Sequence, residues 1–203
     1  MSKDYQGIVT PSGIAIYPHL TEPDTKFNAM GEYKVSLSVT EEEAAPLIET
    51  IDATMKEAEK LIPTGKRQKV AEPPYFPELD DVGQETGRVV FKFKMKAKVN
   101  TKDGRTIELS PKLFDAKGTL MTNVDSVWGG SILRISADLI PYYVAAVGAG
   151  VSMRLKAVQI IELKTGGGGG DATNYGFSAT EGFTQPKEEQ AQDHGFDEND
   201  EDF

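Results

Sequence analysis

Within residues 89–99, apolar and charged residues alternate without interruption from Phe91 onward. Phe91, Phe93, Met95, Ala97 and Val99 fall on one face of an extended strand, and Lys92, Lys94, Lys96 and Lys98 on the other. The first face predicts core; the second predicts a ladder of ammonium groups. The same two-residue period runs through residues 32–39, with Tyr33, Val35, Leu37 and Val39 inward, and through residues 132–140, with Leu133, Ile135, Ala137 and Leu139 inward and Arg134, Ser136 and Asp138 outward. Residues 151–163 alternate with one break of phase at Ala157 and Val158, which predicts a β-bulge. Two shorter runs, 7–10 and 13–17, are expected to pair as a hairpin around Pro11 and Ser12, and residues 18–26 to form a loop carrying His19.

One stretch has helical periodicity instead. Thr40 followed by Glu43 is a capping-box pattern, after which Leu47, Ile48, Ile51, Met55, Ala58 and Leu61 recur on one stripe. Pro46 places the helix start a few residues after Thr40, and Pro63 ends the helix. Residues 64–87 read as a long loop with Pro73, Pro74 and Pro77, a basic cluster of Lys66, Arg67 and Lys69, and an exposed Tyr75-Phe76 pair. An Asp-Gly turn at 102–105 leads into a strand at 106–109, residues 113–118 form another turn-linked segment, and 142–150 are too short for a helix. Five to seven short, mostly antiparallel strands with one inserted helix predict a mainly β fold over residues 1–165. The expected form is an OB-fold-like five-stranded antiparallel barrel with extra hairpins; a β-sandwich is the alternative.

Charge changes the picture. The net charge is −10, but residues 171–203 hold ten acidic residues against Lys187 alone, which leaves a net of −1 on the rest. Within that body, residues 88–117 hold nine basic and three acidic side chains. A basic patch therefore sits on a near-neutral domain, joined by the glycine linker 166–170 to an acidic, polar tail at 171–203 that lacks the apolar period of a core. There is no cysteine, no apolar leader at the start and no run able to span a bilayer. The expectation is a soluble cytoplasmic protein without membrane contact.

Catalysis has little to draw on. The two histidines, His19 and His194, cannot assemble a triad or a metal cluster, and Asp80-Asp81 reads as a solvated turn. No enzymatic activity, metal or other cofactor is expected. Binding of a single nucleic-acid strand needs cations along the phosphates and rings for the bases. The candidate cations are Lys92, Lys94, Lys96 and Lys98, flanked by Lys66, Arg67, Lys69, Arg105 and Lys112; the candidate rings are Tyr75, Phe76, Phe114 and Trp128. A lysine strand standing alone reads more readily as a solvated edge that resists aggregation than as a track for a polyanion.

The end of the sequence shifts that balance. Asp197, Glu198, Asp200, Glu201 and Asp202 run up to Phe203. Joined by glycines to a body with a helix after an early strand, this layout resembles the single-stranded DNA-binding proteins of tailed phages. The resemblance implies a protein that coats single strands in phage replication, repair and recombination inside the infected bacterial cell. It implies that the tail recruits replication proteins such as a DNA polymerase or helicase-primase. Duplex DNA or RNA as weaker ligands, and a homodimer, stay open. An adaptor whose tail docks partners without nucleic-acid binding is the alternative. A flexible chain from residue 166 to 203 has a reach of about 34 Å, enough for the tail's carboxylates to lie on the protein's own lysines.

Overall fold

The computed structural model describes residues 5–164, apart from Phe27, Lys102, Asn123 and Asp125, together with Ser178. The glycine linker and the tail residues Asp197, Glu198, Asp200, Glu201, Asp202 and Phe203 lie outside the described residues. Ten strands and one helix follow in the order β1 (Gln6–Val9), β2 (Gly13–Asp24), β3 (Glu32–Thr40), α1 (Glu41–Glu59), β4 (Tyr75–Leu79), β5 (Glu85–Lys96), β6 (Lys98–Asn100), β7 (Thr106–Glu108), β8 (Lys112–Phe114), β9 (Ile132–Val144) and β10 (Gly148–Glu162). The main sheet runs β1-β9-β2-β3-β5-β10-β8, β4 joins it along β5, and β10 pairs again with β9. β6 and β7 form a separate two-stranded sheet.

The expected antiparallel arrangement is a mixed one, because β10 lies parallel to both β5 and β8. Nor do β1 and β2 form a hairpin. Both run along β9, β1 against residues 136–139 and the start of β2 against residues 132–133, so they act as one kinked strand. At the kink Thr10 donates its N–H to the Ile135 carbonyl at 2.9 Å, and its hydroxyl accepts from the Ile135 N–H at 2.9 Å. The side chain thereby replaces the missing ladder bond.

Residues 18–24 continue β2 instead of looping. The register moves from Ile16 opposite Ser36 to His19 opposite Lys34, so β2 carries one residue more than its partner. Tyr17 absorbs this bulge at φ +46°, and Pro18, which has no N–H to offer a ladder, sits inside it. The alternating strands β3, β5 and β9 bury most of the faces expected: Leu37, Val39, Phe91, Phe93, Leu133, Ile135, Ala137 and Leu139 are almost wholly enclosed, whereas Val99, expected inward, is exposed on β6 because the strand ends at Lys96. In β10 the register shifts between Leu155 and Ala157, next to the expected break of phase.

Helix α1 begins at Glu41, earlier than Pro46 led us to expect. The N–H of Glu43 donates to Thr40 Oγ1, and that hydroxyl donates to Glu43 Oε2 at 2.8 Å, so the capping box holds the first turn. Three glutamates there oppose the positive helix end. Ala44, Leu47, Ile51, Met55 and Ala58 are buried against β3, β5, β9 and β10, whereas Leu61 is exposed and Ile62 takes its place. Truncating Ile51 to alanine would cost about 2–5 kcal/mol, the range for an enclosed aliphatic side chain.

The stretch expected as one long loop, 64–87, contains β4 and the start of β5. Tyr75 lies opposite Phe91 and Phe76 opposite Val90. Residues 142–150 are the end of β9, a tight turn and the start of β10.

Candidate nucleic-acid interface

Antiparallel register sets the cations of β3 and β5 side by side. Lys34 faces Lys94, Ser36 faces Lys92 and Glu32 faces Lys96. Since Phe91 and Phe93 point into the core, Lys92, Lys94 and Lys96 point out. Over this face lies an open cleft of about 620 Å³, with Lys34, Ser36, Lys92, Lys94 and Ser152 along it. Tyr17 of β2 and Tyr142 of β9 also line it, from strands on either side of the β3, β5 and β10 group.

Each aromatic group is placed by its backbone. Tyr17 is 83 % exposed and sits at the strained, left-handed position of the β2 bulge. Tyr142 stands across from Gly150, where a Cβ would come within 2.7 Å of the Tyr142 hydroxyl. Glycine leaves the room that this ring occupies. Phe76 lies on the outer face of β4, and the Lys92 ammonium stands 4.4 Å from its ring centroid.

A strap at residues 69–74 borders the cleft with Glu72 and Pro74. It is fixed to the β9–β10 hairpin by the Ala149 N–H donating to the Lys69 carbonyl at 2.9 Å, the Ala71 N–H donating to the Ala149 carbonyl at 2.7 Å, and Lys69 Nζ donating to the Ala146 carbonyl at 2.6 Å. On the other side Asp24 pairs with Lys34. The hydrogen bond from Lys34, with a second from the Lys26 N–H, holds the Asp24 carboxyl below its ordinary value.

The structure gathers only part of the expected set. Lys92, Lys94 and Phe76 share the outer face with Lys96, and Lys66 and Arg67 are exposed on the segment leading to the strap. Lys69 is tied to the hairpin. Lys98 belongs to the small β6–β7 sheet, where it pairs with Glu108 at 2.9 Å, and Arg105 pairs with Asp103 at 2.6 Å in the turn beyond.

Tyr75 is not an exposed ring. Its ring centroid lies 5.9 Å from that of Phe91 with the planes tilted by 48°, and its hydroxyl donates to Asp52 of α1 at 2.8 Å. Burial first, then the neighbouring Asp52 carboxylate, push the phenol up to about 12. Lys112 and Phe114 lie on β8 beside residues 157–159 of β10. Trp128 is half-exposed, its N–H donating to the Lys164 carbonyl, so it stands where β9 begins and β10 ends. Ten residues of strand, about 33 Å, separate that end of β9 from Tyr142.

Five contributors were not foreseen: Tyr17, Lys34, Ser36, Tyr142 and Ser152. Lys34 was visible as an outward position of an alternating strand, but its value lies in facing Lys94, which sequence spacing does not reveal. Tyr17 and Tyr142 fall at a bulge and at a stretch without a predicted element.

A cleft with cations on its floor and rings at its sides is what a single strand requires. Residues 11–163 match the family model described as single-stranded DNA-binding protein, bacteriophage T7. The chain belongs to this family. The single-stranded DNA-binding protein of Enterobacteria phage T3 is 29 % identical over 214 residues, covering 92 % of each chain. That of Escherichia phage T7 is 29 % identical over 185 residues, 82 % of this chain and 80 % of the relative. Among solved structures, gp2.5, a single-stranded DNA-binding protein encoded by bacteriophage T7, superposes with a TM-score of 0.67 at 26 % identity, covering 81 % of this chain and 96 % of that one. The single-stranded DNA-binding protein from bacteriophage Enc34 in complex with ssDNA shares the fold, with a TM-score of 0.58 at 15 % identity over 80 % of this chain and 89 % of that one.

The body is thus the OB-fold body of a phage family of DNA-binding proteins, and membership makes the chain a binding protein and not an enzyme. Among the described residues no group of three or more His, Cys, Asp or Glu side chains could hold a metal ion. No helix among them is long and apolar enough to cross a membrane.

Proposed function

We propose that the cleft over β3 and β5 binds single-stranded DNA with little regard to sequence. The observation that carries this reading is the convergence of Lys34, Lys92 and Lys94 between Tyr17, Tyr142 and Phe76. The ammonium groups neutralise phosphates and release counterions, and the rings stack on bases, each of which offers a π face whatever its identity. The pairings β9-β2-β3-β5-β10, with β10 pairing again with β9, support the reading of a five-stranded barrel of the OB type with α1 inserted between β3 and β5. The strand register sets these cations side by side on one outer face.

In this reading the protein acts in phage DNA replication, repair and recombination in the cytoplasm of the infected host. The glycine linker 166–170 carries the acidic arm 171–203, which competes with DNA for the lysines. Asp197, Glu198, Asp200, Glu201, Asp202 and Phe203 dock replication proteins, the carboxylates steering towards a basic rim and the ring entering an apolar floor. Duplex DNA and RNA bind more weakly.

Titration of matched single-stranded and duplex oligonucleotides at two salt concentrations tests this. Tighter binding of the single strand is expected, with tyrosine fluorescence quenched. Replacing Lys34 and Lys94 by alanine should lower the slope of log affinity against log salt by about 0.7 for each phosphate no longer neutralised. An unchanged slope would place the strand elsewhere.

A further inference from the structure

We propose that Arg154, Lys156 and Tyr5 form a second phosphodiester-binding position beside the cleft, restrained by Asp138; this rests on the reading of the cleft given above. Asp138 belongs to the polar face of β9, yet it is only 7 % exposed. It accepts from Arg154 Nη2 at 2.7 Å and from Lys156 Nζ at 3.0 Å. One carboxylate thus serves two cations, and a positive charge is left over.

The register makes this trio continuous with the cleft. Arg154 stands opposite Asp138 on one side and beside Lys94 on the other, and Lys94 faces Lys34. A row Lys34, Lys94, Arg154 therefore crosses three adjacent strands. Asp24 neutralises one end and Asp138 the other, while Lys94 has no ion-pair partner among the described residues. The shift of register between Leu155 and Ala157 lets Lys156 reach the same carboxylate as Arg154.

The cations can be reached. The side chains of Arg154 and Lys156 are 46 % and 51 % exposed. The Arg154 guanidinium also lies 5.3 Å from the centroid of the Tyr5 ring. A planar fork of donors beside an aromatic face suits a phosphate with its base. Asp138 sets the threshold: it holds both cations in place and repels any anion that approaches. Only a strand already anchored on Lys92 and Lys94, and long enough to continue over β10, has the local concentration to overcome that repulsion.

The test uses the full chain and oligo-dT of ~4 and ~16 nucleotides, the ends of the range for one OB fold. Replacing Arg154 and Lys156 together by glutamine should weaken binding of the longer strand several-fold, make its salt dependence shallower by about 0.7 for each phosphate no longer neutralised, and leave the shorter strand unaffected. Asp138→Asn should tighten the longer strand several-fold and leave the shorter one alone. If wild type binds both lengths and the variants match it at both, the second position is overturned and the cleft reading stands. If wild type binds neither, the cleft reading itself fails. Should Asp138→Asn not fold, the double variant, whose side chains are half-exposed, decides the matter alone.

Discussion

Lys34 and Lys94 stand directly opposite each other on the antiparallel strands β3 and β5, with both ammonium groups outside the core. Like charges so placed repel, and Asp24 relieves only Lys34. A bound phosphate relieves both. Stability and binding are therefore opposed at this pair. Lys94→Thr is expected to raise unfolding stability by a few tenths of a kcal/mol, up to about 1, on a surface where threonine also suits a strand. The same change should weaken single-strand binding and flatten its salt dependence. Urea denaturation and DNA titration on one preparation check both signs; loss of stability would mean that Lys94 supports the fold.

The neighbours Tyr75 and Phe76 are expected to behave in opposite ways. Tyr75 faces the core side of β4 and ties it to α1 through Asp52, whereas Phe76 faces the lysines. Tyr75→Phe removes one hydrogen bond to a carboxylate that water can still reach, so a loss of about 0.5–1.5 kcal/mol of stability is expected, with DNA affinity unchanged. Phe76→Ala should leave stability nearly unaltered and cost about 1–3 kcal/mol of binding, the worth of one stacked base. Equal effects of both on affinity would remove the distinction between the faces.

That distinction shows where sequence reasoning reaches its end. The core faces of β3, β5 and β9 are legible because a half-buried strand must alternate, and the Thr40–Glu43 box is legible because capping is local. Neighbouring residues such as Tyr75 and Phe76 take sides only once a partner strand fixes their parity, here Phe91 and Val90. The prolines at 18 and 23 obscure β2 because they break the ladder locally without ending the strand. Asp138 reads as an outward polar residue, and its burial depends on β1, at the far N-terminal side of the sequence, and on β10, across a turn. Trp128, one of the four rings expected to stack on bases, is carried to the other end of β9 by a chain path that no local pattern encodes.

Gly148 is expected to be the most sensitive point of the seam that fixes the strap to the β9–β10 hairpin. It sits at φ +111°, and a Cβ there would stand 2.5 Å from the Lys69 carbonyl oxygen, which is backbone and cannot swing away. Gly148→Ala combines an unfavourable dihedral with a clash at the hydrogen-bonded seam. A loss of about 1–3 kcal/mol is expected, read as a lower urea midpoint. Faster amide exchange should follow at Ala71 and Ala149, whose N–H groups make the seam. Unchanged exchange there would show that the strap does not depend on this glycine.

Asp138 should also write a signature into the pH dependence of stability. Burial raises its pKa, but the hydrogen bonds and charges of Arg154 and Lys156 outweigh burial and leave the carboxyl below its ordinary value. The unfolded chain, where the value is near 3.9, therefore takes up this proton at higher pH than the folded protein does. The contribution is complete above the unfolded value and is lost as pH falls through the folded one. Asp138→Asn keeps the shape and removes the charge. At neutral pH it should cost about 1–2 kcal/mol, less than a fully enclosed ion pair because both cations are half-exposed and recover water. The difference between wild type and variant should stay level from pH 7 to about 5 and shrink towards pH 3. A difference that persists unchanged into acid would mean that the carboxylate is not the group that Arg154 and Lys156 stabilise.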